Sequence, residues 1–477
     1  MGKFKPYQVG QLHLLPPSLE DYIPEGHLAR VVYEVVEGLD TREIEDKYSE
    51  MGQHTYHPKI LLKLLFYGYA TGVRSGRKIA ERCESDTAYM YLGEMYKPDF
   101  RTINDFRKNN IKEIERYFGE VVRICYEIGM IKVGSINIDG TKMRANAAAR
   151  RSKDKAGYEK WEKEVERQIK EIMKEAEETE AKEDEEYGDR RGDELPEGLR
   201  KKEKLIEKIR EVKKMLKDEK ERKNFTDIDS KFMKDGQGQI RPGYNCQVAV
   251  TEGQVIVGVD VVNDANDRNQ LLPMVRKAEE ITGEEIKEVA ADSGYSSYDN
   301  YEALEKSGIV GYIPDQYFAL KDRGEYKKEM NRYDLENFRY DKERDVYWCP
   351  EGKQLCFYKE RDTEGVIRRK QWIYRGISCK ACCMRNKCTT AVYRTVAREK
   401  REEYREQMRL RLSSKKGRRR YRKRMYTVEP VFGHFKKNLG YKDFLLRGVK
   451  KVRAEFTLMC IGYNLMKYWK QRVLMTT

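Results

Sequence analysis

From about Lys153 to Lys223 the chain turns Lys/Glu-rich, and this stretch limits the available folds more than any other feature. Within it Val165, Ile169, Ile172 and Ala176 recur at spacings of four, three and four, as do Leu205, Ile209, Val212 and Leu216. Such spacing draws one narrow apolar stripe along each of two otherwise charged helices. Gly188, Gly192, Pro196 and Gly198 interrupt the pattern, so the stretch reads as an antiparallel helical hairpin. Its bland role is a solvated stalk; a DNA or subunit contact is the sharper one. The strand-like runs lie on either side of it. Any sheet must therefore be assembled from pieces far apart in sequence, with the hairpin inserted after the first strand.

Those pieces have a legible order. Ile136 and Ile138 alternate in SINIDGTK, and YNCQVAVTEGQVIVGVDVV reads as two strands joined by a turn at Glu252 and Gly253. Helical residues from Leu271 to Ile281 lead to a short run, Ile286, Val289 and Ala290, and IVGYIP at 309 to 314 gives a further strand. A three-strand meander followed by alternating helices and strands predicts an α/β core with a mixed sheet.

Three acidic residues stand at chemically useful points of this order. Asp139 ends the first alternating run, and Asp292 follows the later one, closed by Ser293 and Gly294, so both carboxylates are expected at strand ends. Glu429 is expected just inside a helix that starts at Thr427 as N-cap, tolerates Pro430 in its first turn and stops near Gly440. Singly, such residues are more often turn formers or partners of the helix dipole. Together they can converge on one point. Carboxylates suit Mg²⁺ or Mn²⁺, hard ions that take oxygen ligands, and an ion pair serves in-line displacement at phosphorus.

The formal net charge of +15 and the pI near 9.1 suit a polyanionic partner, though ribosomal and membrane-surface proteins share such a balance. No apolar run reaches transmembrane length, and MGKFKPYQVGQLHLLPP lacks the apolar core of a secretory signal, so a cytoplasmic protein is expected. In the amino-terminal part, an apolar, tyrosine-rich helix ends near Gly72 and a second runs from about Ser75 to Cys83. The pair fits either a helix-turn-helix offering Arg74, Arg77, Lys78 and Arg82 to a groove, or a bundle with solvated basic residues. DFRTINDFRKNN adds Arg101, Arg107 and Lys108, which either touch phosphates or cap a helix. The densest basic run, KKGRRRYRKR, leads into the Glu429 segment, so Arg418, Arg419, Arg420, Arg422 and Arg424 are candidates for phosphate contact. Lys436, seven residues beyond Glu429, falls on the same helix face. His434 reads as a surface or packing residue.

Six of the ten cysteines fall between Asp315 and Ala397. In a reducing compartment such clustering favours metal over disulfide. CPEG, CKAC and Cys388 resemble zinc-ribbon knuckles, with Cys349, Cys379, Cys382 and Cys388 as the leading ligand set and Cys356 or Cys383 as other fourth ligands. Reduced, unligated thiols are the alternative. Cys83, Cys125, Cys246 and Cys460 stand singly and read as packing residues.

The segments DGTKMRANAA, GYNCQVAV, ADSGYSS and YRKRMYTVEPVFGHFKKNLGY, with the amino-terminal HPKILLKLLFYGYATGVRSGRKIAERC, resemble the DDE transposases of bacterial insertion sequences. The resemblance spans most of the chain. It implies a ribonuclease H-like core in which Asp139, Asp292 and Glu429 form the metal-binding triad with two Mg²⁺ or Mn²⁺ ions. Tyr421, Arg424, Glu429 and Lys436 match the family's Tyr, Arg, Glu and Lys signature, with one extra residue between Arg424 and Glu429. It also implies double-stranded DNA as substrate, at element ends and target, and a homodimer or larger multimer on it. The expected organisation is a helical amino-terminal domain (1–130), a first core strand (131–150), the hairpin (151–224), the core (225–314), the cysteine-rich insertion (315–397) and carboxy-terminal core helices (398–477). The expected activity is cleavage of element ends and joining of the 3′-hydroxyl to target. A nuclease that cuts without joining and an inactive DNA-binding remnant are the competing readings.

Overall fold

The computed structural model describes residues 18–48, 55–132, 134–187, 197–235, 238–322, 331–362 and 370–476, with the backbone alone for 175–187 and 197–200. Its amino-terminal part contains helices α1 (Leu28–Glu37), α2 (Pro58–Thr71), α3 (Gly76–Ser85), α4 (Phe100–Asn109) and α5 (Ile111–Glu127). α2 opens with Pro58, whose missing N–H costs nothing in a first turn, and closes at Gly72 with φ of 89°. It is apolar around its circumference and buried on all sides, as such a helix must be in water.

The central sheet starts with β1 (Ser135–Arg144). The inserted hairpin follows as α6 (Lys155–Tyr187) and α7 (Glu197–Lys214), and then the sheet continues with β2 (Lys231–Lys234), β3 (Ile240–Thr251) and β4 (Ile256–Val262). Helix α8 (Leu271–Thr282) leads to β5 (Glu288–Ala291), and α9 (Tyr298–Lys306) to β6 (Val310–Tyr312). The strands lie in the order β2-β3-β1-β5-β6, and β4 also pairs with β3. β1, β3 and β4 form the antiparallel meander; β5 and β6 run parallel to β1. This is a mixed α/β fold with a ribonuclease H-like core.

A second, antiparallel sheet occupies the cysteine-rich region: β7 (Arg339–Asp341), β8 (Val346–Trp348), β9 (Gln354–Asp362), β10 (Lys370–Gly376) and β11 (Thr395–Glu399). It buries Phe338, Tyr347, Leu355, Tyr374 and Val396 in a small core of its own, which the cysteine spacing alone did not predict. Four helices complete the described chain: α10 (Glu402–Ser413), α11 (Lys415–Thr427), α12 (Glu429–Gly433) and α13 (Val449–Thr476).

The hairpin is antiparallel as expected. Arg210 pairs with Glu162 and Glu166, and Lys213 with Glu162, so rising numbers in α7 meet falling numbers in α6. Of its predicted break, Gly188, Gly192 and Pro196 lie outside the described residues and Gly198 falls within α7.

The amino-terminal helices, however, are not separate from the core. α2 and α5 pack on α13, which packs on β4, and one continuous apolar core runs from Ile23 to Leu465. Gly462 permits this closeness, because a Cβ there would stand 2.7 Å from the Ala70 nitrogen of α2. On the sheet side, Asn464 of α13 accepts from the Ile256 N–H at 3.0 Å and donates to the Ile256 carbonyl at 2.8 Å. No helix among the described residues is long and apolar enough to cross a membrane.

Candidate active site

The parallel pairing of β1 with β5 ends at Ile138 opposite Ala291, so Asp139 and Asp292 are the next residues on two adjacent strands. Asp139 is therefore not at a strand end as expected; it lies in the middle of β1, whose second half continues along β3. Asp292 does leave the sheet, and its Oδ1 accepts from the Gly294 N–H at 2.8 Å, capping the short turn Ser293–Tyr295. The carboxyl end of paired parallel strands is where open α/β sheets expose a crevice.

The third carboxylate arrives by a different route from the one the sequence suggested. Thr427 does not cap a new helix. It is the last residue of α11, its hydroxyl donates backward to the Lys423 and Arg424 carbonyls at 3.1 Å, and the residue before the next helix is Val428, which has no side chain able to cap. Glu429 begins α12 two residues later, and His434–Asn438 continues as a single π turn, a local form that recurs at functional sites. Gly440, with φ of 68°, marks the predicted stop.

Arg424 ties these parts together. Its Nη1 donates to Asp139 Oδ2 at 2.8 Å, and its Nη2 lies 4.0 Å from Glu429 Oε1. Burial disfavours the guanidinium charge, but Asp139, Tyr421, Asp292 and Glu429 outweigh it and raise the Arg424 pKa. Asp139, 15 % exposed, is pushed up to about 6, first by burial and then by Asp292 and Asp267, against the pull of Arg424 and the Gly140 N–H. Lys436 reaches the same strand, donating to Thr141 Oγ1 at 2.5 Å. The four residues come from three consecutive elements: Tyr421 and Arg424 from α11, with the guanidinium 5.9 Å from the Tyr421 ring, Glu429 from α12, and Lys436 from the π turn.

Helical periodicity sorts the basic run. Arg418, Arg419 and Arg422 are exposed on α11. Arg420 and Arg424, expected at phosphates, face inward instead. Arg420 is bound to Glu288 at 3.0 Å, Asn137 at 2.8 Å and Ser135 at 2.6 Å, and so fastens α11 to β1 and β5. At the amino-terminal helices Arg77, Arg82 and Arg101 are exposed; Arg77 and Arg101 both stand over the Phe100 ring, and Arg82 pairs with Asp86. Arg107 is a correction to the expected DNA set. It is 3 % exposed and donates to Tyr69 Oη at 2.7 Å and to the Arg74 carbonyl, because it falls on the face of α4 that meets the core.

Sequence reading missed Asp267, in the loop between β4 and α8. It accepts from Lys142 at 2.9 Å, Asn245 at 2.6 Å and Gln247 at 2.8 Å. The only signal was the polar run NDANDRNQ directly after a strand, which also describes an ordinary loop.

In the second sheet, Cys349, Cys379, Cys382 and Cys388 line one cavity of about 30 Å³, while Cys356 and Cys383 stay outside it. The Lys353 N–H points at Cys349 Sγ, 3.3 Å away. Burial pushes the Cys388 thiol up, opposed by Arg394 and reinforced by Cys379, Cys349 and Cys382. Among the described residues no three His, Cys, Asp or Glu side chains are drawn into a ready-made metal cage; Arg424 stands between Asp139 and Glu429.

A family model described as a transposase DDE domain matches residues 348–469, and a second, described as a transposase domain (DUF772), matches residues 17–109. The two matches indicate a DDE-type transposase of the insertion-sequence type. The first match takes in the cysteine cluster, Glu429, Lys436 and most of α13; the second takes in α1 to α4, with Arg77, Arg82 and Arg101. Asp139 and Asp292 lie in the part of the transposase between the two. No curated protein matches the chain. A DDE transposase domain implies a metal-dependent DNA-cutting enzyme.

Proposed function

We propose that the transposase cuts at the ends of its element and joins the freed 3′-hydroxyl to target DNA, with Asp139, Asp292 and Glu429 as its acidic triad. The observation that carries this reading is the adjacency of Asp139 and Asp292 past the last parallel pair, with Arg424 linking Asp139 to Glu429. The donor set is all oxygen, which fits Mg²⁺ or Mn²⁺, and the guanidinium among the carboxylates already marks the point as one that favours a cation. When bound, a pair of such ions activates an attacking oxygen and stabilises a leaving one. The chain's own residues do the rest. Asp139 and Asp292 hold the position from the sheet, Glu429 closes it from α12, and Arg424 bridges Asp139 and Glu429 and balances their charge until a cation is engaged. Lys436, beside Thr141, is placed to grip a phosphate of the transferred strand.

Incubating the full chain with labelled element ends and a target plasmid tests the assignment. Joined product supports it. Cleaved ends without joining would make the protein a nuclease, and binding without cleavage an inactive remnant.

The exposed residues Arg418, Arg419 and Arg422 are the proposed phosphate track into the cleft. Neutralising all three should weaken binding to every DNA sequence and reduce the slope of log affinity against log salt by about three. Binding isotherms at several salt concentrations measure this, and an unaltered slope would place the DNA path elsewhere. Arg77, Arg82 and Arg101 form the proposed groove-reading surface, and a dimer or larger multimer is the proposed working unit, because two ends must be paired.

The four thiols that share a cavity are the proposed ligands of a structural zinc ion, since tetrahedral thiolate sets close over Zn²⁺ and hold small sheets together. Protein purified without chelator should carry about one equivalent of zinc. Cys379→Ser should release it and loosen the second sheet, as read by metal analysis and limited proteolysis. Metal-free wild-type protein would leave the cysteines as reduced packing residues.

A further inference from the structure

Asp267 is a carboxylate beside the aspartate pair that the triad does not use, and it is held by a full set of donors. Its Oδ1 accepts from Asn245 Nδ2 at 2.6 Å and from Gln247 Nε2 at 2.8 Å, and both oxygens accept from Lys142 Nζ at 2.9 Å. Asn245 and Gln247 are fully buried. The donors come from β1 and β3, at positions that face each other in register: Gly140 opposite Gln247, Lys142 opposite Asn245. Buried side chains spent on holding one loop carboxylate need a reason beyond the loop.

The surroundings supply one. A Cβ at Gly140, the residue after Asp139, would stand 2.7 Å from Asp267 Oδ1. A Cβ at Gly294 would stand 2.9 Å from Asp292 Oδ1 and 3.3 Å from Asp267 Oδ2. Asp267 therefore reaches the backbone beside both aspartates, and glycine at 140 and 294 leaves it room. Gln247 also accepts from the Tyr295 hydroxyl, in the turn that Asp292 caps.

We propose that Asp267 is a positioning residue of the catalytic centre: through Gln247 and Tyr295 it fixes the turn carrying Asp292, and its charge, partly balanced by Lys142, strengthens the site's hold on a divalent cation. This rests on the reading that Asp139 and Asp292 bind that cation. With its oxygens taken up by four protein hydrogen bonds, Asp267 acts on the ion through its neighbours and its field. Partners of this kind typically change metal affinity ten- to a hundred-fold when lost.

The test uses the full chain. Mn²⁺ binding is measured by calorimetry without DNA, the Mg²⁺ dependence of end cleavage is measured alongside, and melting temperatures are recorded. Asp267→Asn, which keeps the shape and removes the charge, should weaken Mn²⁺ binding about ten-fold and shift the Mg²⁺ requirement upward by a similar factor, with cleavage recovering at high Mg²⁺. Lys142→Met should shift Mn²⁺ affinity the other way, because the balancing charge is gone; this second variant serves if the first does not fold. Unchanged Mn²⁺ affinity in either folded variant overturns the proposal, as does an activity loss in Asp267→Asn that tracks a lowered melting temperature and that added Mg²⁺ does not restore. Asp139→Asn is the control: if it keeps both Mn²⁺ binding and cleavage, the triad reading itself fails, whereas a dead control with an unaltered Asp267→Asn removes only the role of Asp267.

Discussion

Asp139→Asn, Asp292→Asn and Glu429→Gln should each lower cleavage and joining on the order of a thousand-fold or more, which corresponds to about 4 kcal/mol of barrier. Asp139 and Asp292 follow the last parallel pair of β1 and β5, Arg424 links Asp139 to Glu429, and each amide variant keeps its shape while losing the charge a cation needs. DNA affinity should hold or rise slightly, since a carboxylate repels phosphate. Gel assays of cleavage beside binding isotherms separate the two effects. Wild-type cleavage by either aspartate variant would remove that residue from the site.

Arg107→Ala should act on stability and hardly on DNA. The guanidinium is 3 % exposed, bound to Tyr69 and to the Arg74 carbonyl, and it shares the interior with Glu455, which is fully buried and accepts from the Leu445 and Leu446 N–H groups. Burial pushes the Glu455 carboxyl up, and Arg107 is the leading influence that pulls it back. Arg107→Ala removes that influence and the bond to Tyr69 but leaves Glu455 its ion pair with Arg74 at 3.3 Å, so the cost is that of a buried charged hydrogen bond, roughly 1.5–3 kcal/mol. Denaturant melts should show the loss, and the salt dependence of binding by the folded variant should match the wild type. A stable Arg107→Ala with a flattened salt slope would return Arg107 to the DNA surface.

The sheet was legible because apolar alternation reports strands whatever lies between them. β1, β3, β4, β5 and β6 fall where Ile136, the YNCQVAV run, the QVIVGVDVV run, Val289 and IVGYIP suggested. Periodicity gave the hairpin too, although not its break. The direction in which a basic side chain points was far less visible. Arg418, Arg420, Arg422 and Arg424 look alike in KKGRRRYRKR, and only the helix phase, set by what α11 packs against, turns Arg420 and Arg424 inward. Arg107 is the same case on α4. Thr427 failed differently: Thr before Glu and Pro is a good cap sequence, but its hydroxyl donates to the turn behind it and Val428 precedes the next helix. Asp267 was invisible because its partners Lys142, Asn245 and Gln247 meet only once β1 and β3 are in register.

The union of α2 with α13 sets a timetable for synthesis. α2 ends at Thr71 and α13 begins at Val449, so an apolar helix made early has no complete burial until several hundred further residues have emerged. On the ribosome the nascent chain carries that greasy surface for most of its translation, in the state where chaperones and proteases act. Contacts of such sequence separation also make the final docking slow relative to local helix formation. When α13 arrives, it closes the amino-terminal bundle, seals Ile256 at the outer strand through Asn464 and packs Phe456 and Tyr463 on Phe435 of the π turn in a single event. The amino-terminal bundle and the central sheet are therefore completed together, and a chain stopped before α13 lacks the helix that joins them.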